Sequence, residues 1–298
     1  MKSMNKYFKR ESWGSCLIVG IAAGLCFLPV WIAVIASFSK EADILTNGYG
    51  LWPDNFTLST YRFMFNEKGK MVLRASGVSI ITTVCGTLYS MIIMTTFAYA
   101  ASQRTEVFPF ARALSFLAWL TTVLSGGTLP WYILCTRYYG LQNNLWALFI
   151  PYGMSVFNMF LIRNAFKAVP SDLYEAAKID GASNAKIFIQ IAIPLSKVGL
   201  ITVLLFTALR FWNDYYLCLY LTSTQKLQTL QKLLYGMVSD ISMLLSDSQA
   251  AEVSMREMPP ANTAKMAMMV LTAAPIMCFY PAVQKYFVKG ITIGAVKG

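Results

Sequence analysis

Long apolar runs alternate with polar segments along the whole chain. The runs cover about residues 14–38, 75–101, 108–135, 145–162, 199–221 and 264–288. Each is close to the roughly 20 residues that a helix needs to cross the hydrocarbon core of a bilayer. The pattern predicts an all-α polytopic membrane protein with about six transmembrane helices, forming one domain over residues 1–298. The first run follows a basic start (Lys2, Lys6, Lys9, Arg10) and is longer than a signal-peptide core. Val34-Ile35-Ala36 is not a small-x-small cleavage site, so a retained span is expected.

Three of the segments carry local signals. In the second run, Gly77, Ser79, Thr82, Thr83, Gly86 and Ser90 form a small-residue face suited to close helix packing. The third run is broken by SGGTLPWY at 125–132, and the backbone groups freed by Gly126, Gly127 and Pro130 must meet water or line a cavity. Between the fourth and fifth runs lies a polar island, 163–197, that cannot cross a membrane. Its stretch PSDLYEAAKIDGASNAKIFIQIAIPLSK, at 170–197, reads as two short helices joined by a tight turn. Ser171 is positioned to cap the first helix, with Asp172 in its positively polarised first turn. Gly181 supplies the left-handed residue that ends that helix, Ser183 the cap of the second, and Pro194 closes the stretch.

Composition agrees with the bilayer reading: 56% of residues are hydrophobic, 13% are charged, and the mean hydropathy is +0.52. The net charge of +11 does not indicate a nucleic-acid partner, because the basic residues are scattered between apolar runs rather than clustered with stacking aromatics. There is no histidine, which excludes nucleophile–histidine catalysis and removes the commonest metal ligand. The six cysteines fall in or beside apolar runs without CxxC spacing and read as small buried hydrophobes. GKM at 69–71 lacks the upstream glycine and the Ser/Thr of a phosphate-binding loop, so the chain has no such ATP site.

Charge also predicts orientation. Six spans put both termini, the loop after span two and the 163–197 segment on one side. That side carries fourteen basic and five acidic residues, against ten and eight on the other. The positive-inside rule makes it cytoplasmic.

The 170–197 stretch resembles the EAA signature of permease subunits of bacterial ABC importers: Glu175, Ala176, Ala177, then Gly181, Ile191 and Pro194, with Asp180 beside the glycine. Ile193 stands where leucine is commoner, a volume-conserving exchange. Three other strings resemble the carbohydrate-importing branch: PDNFTLSTYRFMF at 53–65, GLQNNLWALFIP at 140–151 and NMFLIRNAFKAVP at 158–170. The WND of 212–214 resembles the fifth span of that branch. The resemblance implies a type I importer permease fold for sugars or oligosaccharides, in a bacterial plasma membrane. It also implies a second, non-identical permease, an ATP-binding cassette ATPase dimer, an extracytoplasmic solute-binding protein and surrounding lipid as partners. No cofactor is expected on this chain; ATP and Mg would be used by the ATPase, which the 170–197 loop would couple to the spans.

Within the membrane, Arg210 and Asp214 stand four apart in the fifth run, close enough on a helix to share a face. Trp212, Asn213, Tyr215 and Tyr216 surround them. Aromatic faces stack on sugar rings and amides bond hydroxyls, so Trp131, Asn158, Arg210, Trp212, Asn213, Asp214 and Tyr215 are candidate substrate-pathway residues. The alternative is a structural ion pair beside an aromatic belt. Segment 222–263 carries a helical pattern (Leu227, Leu230, Leu233, Leu234, Met237), suited to bracing the pore, meeting a binding protein or lying on headgroups. An enzyme acting on lipid or polysaccharide would need convergent acids. Glu175 and Asp180 sit in the hairpin while Asp214 is in a span, so no dyad forms. A channel or receptor would leave the complete signature unexplained.

Overall fold

The computed structural model describes residues 2–67, 69–246 and 262–278. In chain order its helices are α1 (Lys2–Ser37), α2 (Glu41–Asn47), α3 (Ser59–Glu67), α4 (Gly69–Ser102), α5 (Ala111–Val123), α6 (Thr128–Ile133) and α7 (Val156–Lys167). There follow α8 (Ser171–Ile179), α9 (Asn184–Ile187), α10 (Ile193–Leu195), α11 (Lys197–Trp212), α12 (Tyr216–Leu221), α13 (Leu230–Ser246) and a helix over residues 262–278, α14. Among the described residues no strand forms; a lone antiparallel bridge joins Ser39 and Phe56.

The chain divides into two compact units, Met1–Lys70 with Gly236–Ala274, and Met71–Tyr235 with Pro275–Gly298. In the first unit, the Gly14–Ser37 part of α1 is long and apolar enough to cross a membrane. Leu17, Ile18, Leu25 and Phe27 stand exposed along it, a surface that suits lipid. Beyond α1 the chain is pinned by aromatics and hydroxyls: the Phe38 and Phe56 rings stack at 5.3 Å, and the Tyr61 hydroxyl donates to Ser37 Oγ at 3.0 Å. The Glu41 carboxylate accepts the backbone N–H groups of Asn262 and Thr263 at 2.9 and 2.8 Å. A residue remote in sequence thus supplies the negative charge and acceptors that the start of α14 needs. Residues 247–261 and 279–298, which include the end of the expected sixth span and the basic tail, lie outside the described residues.

In the second unit, α4 qualifies as a span without a break. Three of its hydroxyls turn back onto carbonyls one turn earlier, Ser76 to Val72, Thr83 to Ser79 and Thr96 to Ile92, which satisfies these donors within the helix. Three further helix pairs qualify only when each bent pair is one span, which raises the total among the described residues to five: α5 with Thr128–Tyr138, bent by 115°, Leu145–Tyr152 with α7, by 56°, and Asn184–Leu195 with α11, by 82°. The first break falls at residues 124–127, where Gly127 takes φ +81°, inside the glycine-rich interruption expected from sequence. The second arises because Leu145–Tyr152 forms two 3₁₀ turns around Pro151; regular helix starts at Val156 and continues to Lys167, beyond the expected end at 162.

The core of this unit is buried between α4, α7 and α11: Met94, Ala98, Met159, Ile162, Phe166 and Val203. Small residues set its closest approaches. A Cβ on Gly86 would lie 2.8 Å from the Phe211 ring, and one on Gly199 would lie 2.7 Å from Ala165 Cβ. Ser79, Thr82 and Ser90 on the expected small-residue face of α4 are buried, and Ser79 Oγ accepts the Leu230 N–H at 2.9 Å.

Candidate functional site: the α8–α9 hairpin and the aromatic break

The α8–α9 hairpin is built from its termini inward. Ser171 is not the cap expected from sequence: its hydroxyl donates to the neighbouring Asp172 carboxylate at 3.2 Å, and Pro170 occupies the cap position. Asp172 does sit in the first turn, where its charge favours the helix. At the other end Ala182 N–H donates to Ala177 O at 2.9 Å and Gly181 N–H to Lys178 O at 3.0 Å, with Gly181 at φ +75°. This is a Schellman motif, in which the left-handed glycine satisfies the last carbonyls of α8. Ser183 then caps α9 by accepting the Lys186 N–H at 3.3 Å. A π-turn, Phe188–Ala192, carries the chain into α10, which contains Pro194, and the 82° bend follows at Ser196.

Two sides of α8 are distinct. Ser171, Tyr174, Glu175 and Lys178, at helical spacing, line a cavity of about 700 Å³ against the ends of α4 and α7. Glu175 pairs with Arg104 at 2.9 Å, and the Tyr174 hydroxyl donates to Phe166 O at 3.3 Å. Burial, with a smaller contribution from Tyr99, pushes the Tyr174 phenol up, so it stays protonated at neutral pH and keeps that bond. The opposite side shows Leu173 and Ala176, with Ile179 next to them; Leu173 is 45% and Ile179 87% exposed. Phe188 fastens the hairpin to the core, 4.7 Å from the Tyr99 ring and 6.1 Å from that of Phe166. Of the remaining signature residues, Ala177 and Ile191 are half-buried, while Asp180, Gly181 and Pro194 are exposed.

Arg210 and Asp214 stay close enough to interact electrostatically, with Tyr152 between them, but they form no direct salt bridge, because the fifth run is not one helix. Asn213 Nδ2 donates to Leu209 O at 3.0 Å where α11 stops, and the Asp214 carboxylate instead accepts the Leu217 N–H at 3.1 Å, capping α12. Arg210 lies over the Tyr152 ring, 4.1 Å from its centroid, a cation–π contact. Trp131 packs against Tyr216 at 5.5 Å and Tyr220 at 6.4 Å, and Tyr215 stacks on Tyr235 at 4.8 Å. Gln231 Nε2 donates to Asn213 Oδ1 at 3.2 Å, so the break gathers Trp131, Arg210, Asn213 and Tyr215 with Tyr152, Tyr216, Gln231 and Tyr235. Trp212 closes α11 and is half-buried. Asn158 stands apart, buried and donating to Thr207 Oγ1 at 3.4 Å between α7 and α11. Tyr152, Gln231 and Tyr235 carry no sequence signal for this cluster, since only the fold brings them near residue 213.

Residues 27–293 match the model of the binding-protein-dependent transport system inner membrane component family. The chain belongs to that family. It is 34% identical over 99% of both chains to the polygalacturonan/rhamnogalacturonan transport system permease protein of Bacillus subtilis. It is 28% identical to the melibiose/raffinose/stachyose import permease protein of the same organism, over 95% of each chain. A solved structure of a bacterial ABC transporter involved in the import of the acidic polysaccharide alginate contains a chain with the same fold, at a TM-score of 0.78 and 26% identity, over 94% of this chain and 97% of that one. As a permease subunit, the chain is a transport component rather than an enzyme, and ATP hydrolysis belongs to a separate subunit.

Proposed function

We propose that this permease forms half of the pore of an ATP-driven importer of oligosaccharides, with both termini and the α8–α9 hairpin in the cytoplasm. The observation that carries this reading is the outward side of the hairpin. Leu173, Ala176 and Ile179 stand exposed on a helix whose end is fixed by the Gly181 motif, while the other side is bonded into the unit. An apolar, small-residue surface on a fastened lever suits a rigid protein partner better than water. That partner is a dimer of ATP-binding cassette ATPases, which use ATP and Mg. A second, non-identical permease supplies the other half of the pore, and an extracytoplasmic binding protein delivers the substrate.

In this scheme ATP-driven closure pulls the hairpin, and the pull reaches the core through Phe188 and the bend at Ser196, tilting α7 and α11 between outward and inward access. The aromatic break is the candidate sugar contact: the face of Trp131 and the ring of Tyr215 offer stacking surfaces, while Arg210 and Asn213 offer donors. The carbohydrate names of the two Bacillus subtilis relatives and of the alginate importer support an oligosaccharide. The test is uptake of labelled oligosaccharides, neutral and acidic, by cells with the chain deleted and then restored as the natural sequence or as Trp131→Ala. Deletion is expected to abolish uptake of one class, and Trp131→Ala to restore it only in part. Undiminished uptake of every oligosaccharide after deletion would refute the reading.

A further inference from the structure

The cavity beside α8 carries a charge that the coupling role does not use. Around its 700 Å³ stand Arg104, Arg112, Arg163, Lys167 and Lys178, against two carboxylates, Glu106 and Glu175. One of those carboxylates is already committed to Arg104 at 2.9 Å. Arg163 and Lys167 are one turn apart on α7 and so share its face. The Arg163 Nε is held by Ala101 O at 2.8 Å, which fixes the guanidinium at the rim where α4 ends. The floor is small or apolar, with Ala101, Ala111 and Phe166 buried beneath the cations. Like charges gathered around a concavity repel one another, and an anion between them relieves that repulsion.

From this arrangement we infer that the cavity is a binding site for a phosphate group. Its shape distinguishes this ligand from a protein surface: the concave, cation-lined side of α8 faces inward, while the exposed apolar side, Leu173 to Ile179, is the one open to a protein. Basic pockets at the ends of transmembrane helices take phospholipid headgroups by the same chemistry, and a soluble phosphate ester would be held in the same way. A ligand there bridges α4, α7 and α8, the helix end and the lever that coupling must move, so its occupancy would stiffen the hairpin. The inference does not depend on which sugar is carried, nor on whether the ATPase contact is correctly assigned.

The experiment uses the full chain in detergent, with native mass spectrometry counting phospholipids retained after exposure to phosphatidylglycerol or phosphatidylcholine, with and without inorganic pyrophosphate as a soluble competitor. The test variant is Arg112→Gln with Lys167→Gln, two exposed cations of the cavity. Lys226→Gln, an exposed cation outside the cavity, is the control, and all three proteins must elute as the same species in size exclusion. The natural chain and the control are expected to retain phosphatidylglycerol preferentially, and the double variant to lose about fivefold in affinity for each charge removed. Displacement by pyrophosphate without lipid preference identifies a soluble phosphate ligand; lipid preference that resists it identifies a headgroup. Equal retention of both lipids with no effect of pyrophosphate, or retention unchanged in the double variant, would overturn the site. So would a double variant that loses a co-purifying ATPase while keeping its anion, because the cations would then serve a protein contact.

Discussion

Gly181 offers a quantitative handle on the hairpin. It holds φ +75°, and a Cβ built on it meets no atom within 4 Å. Any side chain placed there is therefore penalised by backbone conformation and not by a clash. An L-residue in the left-handed region costs about 1–2 kcal/mol, less for asparagine and more for a β-branched residue. If the hairpin must keep its Schellman turn to engage the ATPase, Gly181→Ala lowers the competent population, and with it apparent affinity, by up to about thirtyfold. Gly181→Asn should lie near the natural chain, and Gly181→Val below alanine. The assay is the amount of ATPase recovered per permease from solubilised membranes, by quantitative mass spectrometry, across the four proteins. An order of Gly, Asn, Ala, Val supports the reasoning. Equal recovery with Gly and Val would refute it, and loss with Asn as severe as with Val would assign the effect to side-chain size.

Two further predictions concern packing and capping. Gly86→Ala and Gly199→Ala, whose new methyl groups would stand 2.8 Å from Phe211 and 2.7 Å from Ala165 Cβ, should each destabilise by about 1–3 kcal/mol in thermal unfolding in detergent. Gly77→Ala, with open space around it, should be neutral or stabilising by up to about 1 kcal/mol; equal losses at all three sites would contradict the packing described. Asp214→Ala removes the cap on Leu217 N–H and should cost about 0.5–2 kcal/mol, whereas Asp214→Asn, which keeps an acceptor oxygen, should cost much less. Equal costs would mean that the charge, and so Arg210, matters more than the cap.

Features governed by local rules were legible in the sequence. Gly181 and Ser183 act within three residues of themselves, so their roles follow from capping chemistry, and the glycine-rich break at 124–127 follows from the residues that fill it. Ser171 misleads because Pro170 already supplies the extended residue before the helix and Asp172 offers the nearer acceptor. The fifth run reads as a single helix because hydropathy does not register a break that lies at two polar side chains, Asn213, which donates to Leu209 O, and Asp214, which accepts the Leu217 N–H. That break puts Asp214 on α12, and Arg210 turns to Tyr152, a partner no periodicity reveals. Glu175 is a similar case. The residue that looks most available to a partner is bonded to Arg104 within the chain, and the neighbouring Leu173, Ala176 and Ile179 present the free surface.

The central claim is that this outward surface of α8 is where a separate ATPase attaches. Ala176→Trp tests it most directly, since Ala176 is exposed and a bulky ring there blocks close approach while leaving the Arg104–Glu175 pair and the Gly181 turn in place. The measurement is pull-down from detergent-solubilised membranes with the natural chain and the variant, with partners identified by mass spectrometry. A second permease is expected to accompany both proteins, and an ATPase only the natural chain. Recovery of the ATPase in equal amount with Ala176→Trp, or its absence from the natural chain under conditions that preserve other importers, would contradict it.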